Sequence, residues 1–239
     1  MAEDLGLAED IEVMDRLVDV ASKHAVDAGC GSGMLARALV KRGARVTAFE
    51  PEPGQAEINR QNLAGGAIEF HETGAEAMPC ADASIDVVFF SKSLHHVPTD
   101  LMEKALQEAM RVLKSGSGML YVLEPEVGGT HTELMLPFHN ESAARAAARA
   151  ILKKVAEPCF DAAREIHFHN RRSYENYETF VDQVGGYGFN AYDRSDVDTL
   201  VVKALFEAGR CDEGYRFEQP MRVNLFKGLR GRRHDLTAP

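Results

Sequence analysis

The chain has 239 residues, 45% hydrophobic and 27% charged, the balance of a globular protein long enough to bury a full core. Its net charge of −10 argues against a broad nucleic-acid-binding surface, which needs a basic balance. The apolar runs are too short to cross a bilayer, and MAEDLGLAED lacks the basic start and apolar core of a secretory signal, so a cytoplasmic protein with no membrane insertion is expected. The four cysteines, Cys30, Cys80, Cys159 and Cys211, are scattered without a C-x-x-C pair, which argues for reduced thiols rather than a disulfide framework or structural zinc. The basic stretch from Lys227 to Arg233 reads as a short solvated tail.

In chain order, Ile11, Met14, Leu17, Val18 and Ala21 follow helical spacing and predict a helix near residues 9–22. A short strand through Ala25 and Val26 then runs into a glycine loop. A second helix carries Leu35, Ala38 and Leu39 on one face, with Gly43 as its C′ residue. RVTAFE (45–50) predicts a strand ending at Glu50, residues 54–63 a helix, and AIEFH (67–71) a third strand. IDVVFFS (85–91) is a near-continuous apolar run, as befits a strand buried on both faces. Residues 99–113 place Leu101, Leu106, Met110 and Leu113 at helical intervals, and a Ser-Gly-Ser-Gly turn leads into the strand MLYVLEP (119–125). Strands and helices in alternation predict an α/β, doubly wound, mostly parallel sheet.

After Pro125 the alternation breaks. Helices are predicted near 141–156 and 174–184, separated by IHFHNRRS (166–173). Ser195 and Asp198 form a capping-box pattern for a helix with Val201, Ala204, Leu205 and Ala208, closed by Gly209. Residues 215–228 read as two strands joined near Pro220, an antiparallel C-terminal edge. The expected organisation is a core of residues 1–126 and 196–239, interrupted by a helical lid insertion over 127–195.

The loop itself reads Asp27-Ala28-Gly29-Cys30-Gly31-Ser32-Gly33. A glycine-rich turn between strand and helix lets backbone approach a ligand and offers it a helix N-terminus. A dinucleotide fingerprint wants its third glycine one place later, where this chain has Met34. Asp27, two places before the first glycine, suits a cationic amino group better than a pyrophosphate. Glu50 lies 21 residues beyond Gly29, where an acid can accept hydrogen bonds from both hydroxyls of an adenosine ribose.

VDAGCGSG, FEPEP, GAEAMPCADASIDVVFFSKSLHHV and EAMRVLKSGSGMLYVLEP together resemble class I S-adenosylmethionine-dependent methyltransferases. The likeness is to the subgroup with the ubiquinone, menaquinone, biotin-pathway and many natural-product enzymes. It covers about residues 20–126. It implies a seven-stranded Rossmann-like sheet and S-adenosylmethionine as cofactor. The backbone of Gly29, Cys30, Gly31 and Gly33 would line the methionine part of that cofactor, and Asp27 would anchor its amino end. Glu50 would hold the ribose, Pro51 would pack near the adenine, Ala75 and Glu76 would sit at the adenine edge, and Ser91 would touch the methionine portion. Family members often carry an Asp before the Ala-Glu pair, and here that position is Gly74.

Methyl transfer from a sulfonium needs positioning and exclusion of water, and a general base only when the nucleophile arrives protonated. His95 and His96 follow the fourth strand and are candidate bases, as is Glu124 at the end of the fifth. The resemblance also implies a structural or cofactor-side role for the histidine pair, since LHHV recurs in the family with unlike substrates. The insertion holds His131, His139, His167, His169, Tyr174, Tyr177, Tyr187 and Tyr192. His167 and His169 would face one side of an extended segment, but no carboxylate or cysteine completes a recognisable metal-ligand spacing, so no metal is assigned. Tyr174, Tyr177, Val181 and Val184 would form a core-facing stripe on one helix. The expected activity is methylation of an oxygen, nitrogen or carbon of a small molecule. The alternatives are a nucleic-acid methyltransferase and a catalytically silent binder of the cofactor or of a partner. An NAD-linked dehydrogenase fails on glycine spacing, and oligomeric state is not legible.

Overall fold

The computed structural model describes residues 3–62, 66–185 and 192–230; Tyr187 and residues 231–233 of the basic stretch lie outside them. The strands are β1 (Glu3–Leu7), β2 (His24–Ala28), β3 (Arg45–Phe49), β4 (Ile68–His71), β5 (Val87–Ser91), β6 (Met119–Pro125), β7 (Phe160–Tyr174), β8 (Arg210–Cys211) and β9 (Gly214–Leu229). The helices are α1 (Asp10–Leu17), α2 (Met34–Lys41), α3 (Pro53–Asn62), α4 (Met102–Val112), α5 (Thr130–Met135), α6 (Ser142–Ile151), α7 (Tyr177–Gly185), α8 (Arg194–Val197) and α9 (Leu200–Glu207). The chain divides into two compact units. The larger comprises Val20–Leu123, Ala147–Glu165 and Val223–Pro239, and the smaller Met1–Asp19, Glu124–Ala146 and Ile166–Arg222.

In the larger unit β6, β5, β2, β3 and β4 lie side by side in that order, and every pair is parallel. Val87, Val88, Phe89 and Phe90 of β5 are completely buried, which is why this strand reads as an unbroken apolar run rather than an alternation. Helix α4 buries Met102, Ala105, Leu106, Ala109 and Val112 along one stripe against the same core. Helix α3, expected over 54–63, runs from Pro53 to Asn62. The Glu52 carboxylate caps it by accepting from the N–H groups of Gly54 (3.0 Å) and Gln55 (2.5 Å), and Pro53 opens the first turn. Gly43 closes α2 at φ +85°, as expected of a C′ glycine.

The smaller unit pairs β1 in parallel with the second half of β7, Glu3 opposite Ile166 and Leu7 opposite His169. The short β8 turns back antiparallel onto β9. Its core is aromatic: Phe180, Val181, Val184, Phe206, Tyr215 and Phe217 form one cluster, with Tyr174 and Tyr177 packed against it.

Several elements differ from the sequence reading. IHFHNRRS is not a spacer between helices but part of the fifteen-residue strand β7. Tyr174 therefore ends a strand, and α7 starts only at Tyr177, after Asn176 accepts from the Thr179 N–H (2.9 Å). Residues 214–229 form one strand rather than two joined at Pro220, whose carbonyl accepts from the Glu126 N–H (2.8 Å). The capping box belongs to Asp193 and Asp196 on α8, not to Ser195 and Asp198, and α9 is capped separately by Thr199.

Candidate active site

The glycine loop leaves β2 at Ala28 and enters α2 at Met34, with Gly29, Gly31 and Gly33 at φ +73°, +50° and +74°. These are left-handed conformations that other residues adopt only with strain. At Gly29 there is a second constraint, since a Cβ there would stand 2.7 Å from the Ser93 Cβ. Ser93 is anchored in turn, its hydroxyl donating to the Ala28 carbonyl at 2.6 Å. The Cys30 N–H donates to the Phe49 carbonyl (2.8 Å), tying the loop to the end of β3. Burial drives the Cys30 thiol far up, so it is an inert packing group rather than a nucleophile.

Glu50, at the end of β3, closes the loop from the other side. One carboxylate oxygen accepts from the Gly31 N–H (2.8 Å) and the other from the Glu52 N–H (3.0 Å). The Gly31 carbonyl accepts from Nδ2 of Asn59 (2.7 Å), a fully buried α3 side chain that Gln55 orients at 3.0 Å. Loop, acid and amide thus form one hydrogen-bonded frame. Neither Asn59 nor Ser93 was legible as a site residue, because nothing local to either marks it.

Asp27 is the outlier of this frame. It is 1% exposed, the Ala36 N–H donates to its carboxylate, and Oδ2 has no hydrogen-bond partner. Burial pushes its carboxyl up to about 7, the bond from Ala36 opposes the rise, and the nearby Glu50 charge adds to it. A buried carboxylate oxygen without a donor is costly unless something cationic or protic completes it. The loop therefore fits a ligand that presents an ammonium group, with Glu50 available to a diol.

Ala75 is buried, and Glu76 is half-buried in the same single turn of 3-10 helix. A side chain on Gly74 would collide with the Glu76 carboxylate, which occupies the space in front of that glycine. Arg111 holds the next segment to α4. It donates to the carbonyls of Met78 and Cys80 (2.8 Å each) and pairs with Glu108 (2.7 Å), whose carboxylate also accepts from the Met78 N–H. Pro51 is exposed beside Glu50, and Ser91 is half-buried at the end of β5. Lys92 follows at φ +58°, an unusual conformation for a residue with a side chain, and it aims the Ser93–His96 turn.

In that turn His95 is buried and His96 exposed, their rings 4.1 Å apart at 40°. Glu124, near the end of β6, is 1% exposed. His167 and His169 lie on one side of β7 as predicted, yet each has its own acid: Glu126 at 2.8 Å from His167 and Glu218 at 3.6 Å from His169. Glu126 also pairs with the buried Arg222 (3.4 Å), a network that no local sequence signal announces.

A parallel α/β core with a glycine turn after its first strand and an acid at the next strand end is a Rossmann-like fold. Residues 26–122 match the family described as methyltransferase domain. Over 74 residues the chain is 40% identical to a ubiquinone biosynthesis O-methyltransferase of Methylocella silvestris, covering 30% of this chain and 29% of that protein. Over 114 residues it is 35% identical to a malonyl-[acyl-carrier protein] O-methyltransferase of Serratia marcescens, covering 46% and 43%. The matched segment spans less than half the length of either relative. Among solved structures, the YcgJ protein of Bacillus subtilis shares the fold at TM-score 0.61 over 92% of this chain and 98% of that one, with 17% identity. Among the described residues no helix is long and apolar enough to cross a membrane.

Proposed function

We propose that the protein is an S-adenosylmethionine-dependent methyltransferase whose acceptor is a small molecule, methylated at oxygen, nitrogen or carbon. When bound, the cofactor supplies an activated sulfonium methyl group. The observation that carries the reading is the unpartnered Oδ2 of Asp27 beneath a glycine loop clasped by Glu50, inside the segment that matches the methyltransferase family.

In this reading Asp27 receives the cofactor's ammonium end and the positive-φ glycines let backbone approach the methionine chain. Glu50 exchanges its loop hydrogen bonds for the ribose hydroxyls. Pro51 and the Ala75–Glu76 turn flank the adenine, with Glu76 in the place of the missing acid at Gly74. Ser91 meets the methionine portion. His95, His96 and Glu124 are the candidate groups for taking a proton from an acceptor that arrives protonated. The segment 127–195 is the acceptor-binding insertion, and the net charge of −10 favours a small acceptor over nucleic acid.

Titration calorimetry tests the cofactor assignment. S-adenosylmethionine and its demethylated product should both bind and NAD should not; binding of NAD alone would overturn it. Label from methyl-labelled cofactor appearing in RNA or DNA rather than in small products would overturn the acceptor class.

A further inference from the structure

In the smaller unit, alternation along β7 turns Arg172 and Tyr174 to one side and the exposed Arg171 and Ser173 to the other. On the Tyr174 side, α5 presents His131, whose Nε2 lies 3.0 Å from the tyrosine hydroxyl with the two rings stacked at 11°. Arg172 is half-buried, and among the described residues it has no hydrogen-bond or ion-pair partner. Arg145 approaches from α6. One end of its guanidinium meets Glu141 (2.6 Å), another reaches the Glu126 carbonyl at 3.5 Å, and its Nε is buried with no partner. Gln219 completes the surround, its Oε1 accepting from Thr132 Oγ1 at 2.9 Å and its amide donating to the Glu126 carbonyl at 3.0 Å.

The charges around this spot do not balance. The Glu126 carboxylate is engaged by His167 and Arg222, and Glu141 by Arg145 and His139. That leaves Arg172 without an acidic partner among the described residues. The imidazole registers the surplus: burial, then Arg172, then more weakly Arg145 push His131 down to about 4, against the opposing pull of a Gln219 side-chain hydrogen bond. A neutral histidine beside two arginines marks a place where a negative charge would be stabilised.

We propose that Arg172, His131 and Tyr174, with the free Nε of Arg145, form a receptor for one carboxylate group of a small acidic ligand. The planar fork of Arg172 matches a carboxylate in two-point contact, the Arg145 Nε is a further donor, and the Tyr174 hydroxyl holds the His131 ring beside them. A single negative charge would match the Arg172 guanidinium. A phosphate monoester, at about −1.5 to −2, would place excess negative charge beside Glu141 and Glu126. The inference rests on the reading that this part of the chain receives the methyl acceptor, and it specifies that acceptor as a carboxylic acid.

The test uses the whole protein with ring-labelled histidine, followed by NMR. His131 is assigned by its disappearance in His131→Gln, and benzoate or inorganic phosphate is titrated at constant ionic strength. Benzoate is expected to shift the His131 signal saturably, to raise its titration midpoint, and to bind more tightly than phosphate. Arg172→Gln should weaken benzoate at least tenfold, while Arg171→Gln, on the opposite side of the strand, should leave it unchanged. No saturable shift with either anion, or equal loss in the two variants, would overturn the receptor; tighter binding of phosphate would overturn the carboxylate. No cofactor is needed for this measurement. S-adenosylmethionine failing to bind while benzoate binds would sink the methyltransferase reading and leave the receptor standing. Unchanged cofactor affinity in Arg172→Gln shows that the variant is folded.

Discussion

Lowering the pH should loosen cofactor binding through Asp27, and the size of the effect follows from its surroundings. Its carboxyl is 1% exposed and pushed up to about 7, so in the free protein it is half protonated at neutrality. An ammonium group arriving at Oδ2 selects the ionised form and returns the pKa towards the ordinary 3.8. Binding below pH 7 then expels a proton, and the apparent dissociation constant grows by the factor 1 + 10^(7 − pH). That is roughly twofold at pH 7 and about a hundredfold at pH 5, so affinity should fall about fiftyfold between them. The full shift corresponds to about 4 kcal/mol of coupling between cofactor and proton. Calorimetry in two buffers of different ionisation enthalpy reads both quantities, with about half a proton released at pH 7 and about one at pH 5. Because the folded pKa is raised above the unfolded one, ionised Asp27 weakens the ligand-free fold above pH 7, and that penalty fades as pH falls towards 4. Asp27→Asn should therefore raise the ligand-free melting temperature at pH 8 while weakening S-adenosylmethionine and flattening its pH dependence. An affinity independent of pH from 5 to 7 in the wild-type protein would refute the reasoning, as would full affinity in Asp27→Asn.

Glu50→Ala removes both the proposed ribose acceptor and the bond to the Gly31 N–H, and calorimetry should show cofactor affinity falling at least tenfold; unchanged affinity would sink the ribose role. Gly29→Ala places a methyl group 2.7 Å from the Ser93 Cβ at a positive φ, so urea denaturation should show a loss of about 1–3 kcal/mol, with weaker cofactor binding besides. Arg111→Ala strips the Met78 and Cys80 carbonyls and Glu108 of their shared donor, and the urea midpoint should register a loss of about 2–3 kcal/mol; a loss under about 0.5 kcal/mol would show that other contacts hold the 78–82 segment.

What was legible in the sequence is what local chemistry decides. MLYVLEP is β6 to the residue, RVTAFE overruns β3 by one residue, and the helix expected over 54–63 is α3 shifted by one, because apolar runs and helical periods act within a few residues. The glycine loop was legible because its positive φ values admit little else. β7 was hidden because its first half, Asp161–Arg164, is exposed and its second half alternates histidines with buried residues, so neither half looks like a core strand. β9 was split at Pro220, yet the carbonyl there still pairs with Glu126, and the chain runs through as one strand. At the site, Asp27 and Glu50 could be singled out by spacing, whereas Asn59, Ser93, Glu126 and Arg172 matter through partners 28 to 96 residues away, or through having none. No pattern along the chain carries that information.

The proposed activity is transfer of a methyl group from S-adenosylmethionine to a small molecule. The most direct test incubates the purified protein with methyl-labelled cofactor and a fraction of small acidic metabolites, and follows both products by mass spectrometry. S-adenosylhomocysteine and a labelled small product should appear in equal amounts, and both should be lost in Asp27→Asn. Cofactor that binds and is recovered intact across the whole fraction, or label found only in nucleic acid, would contradict it.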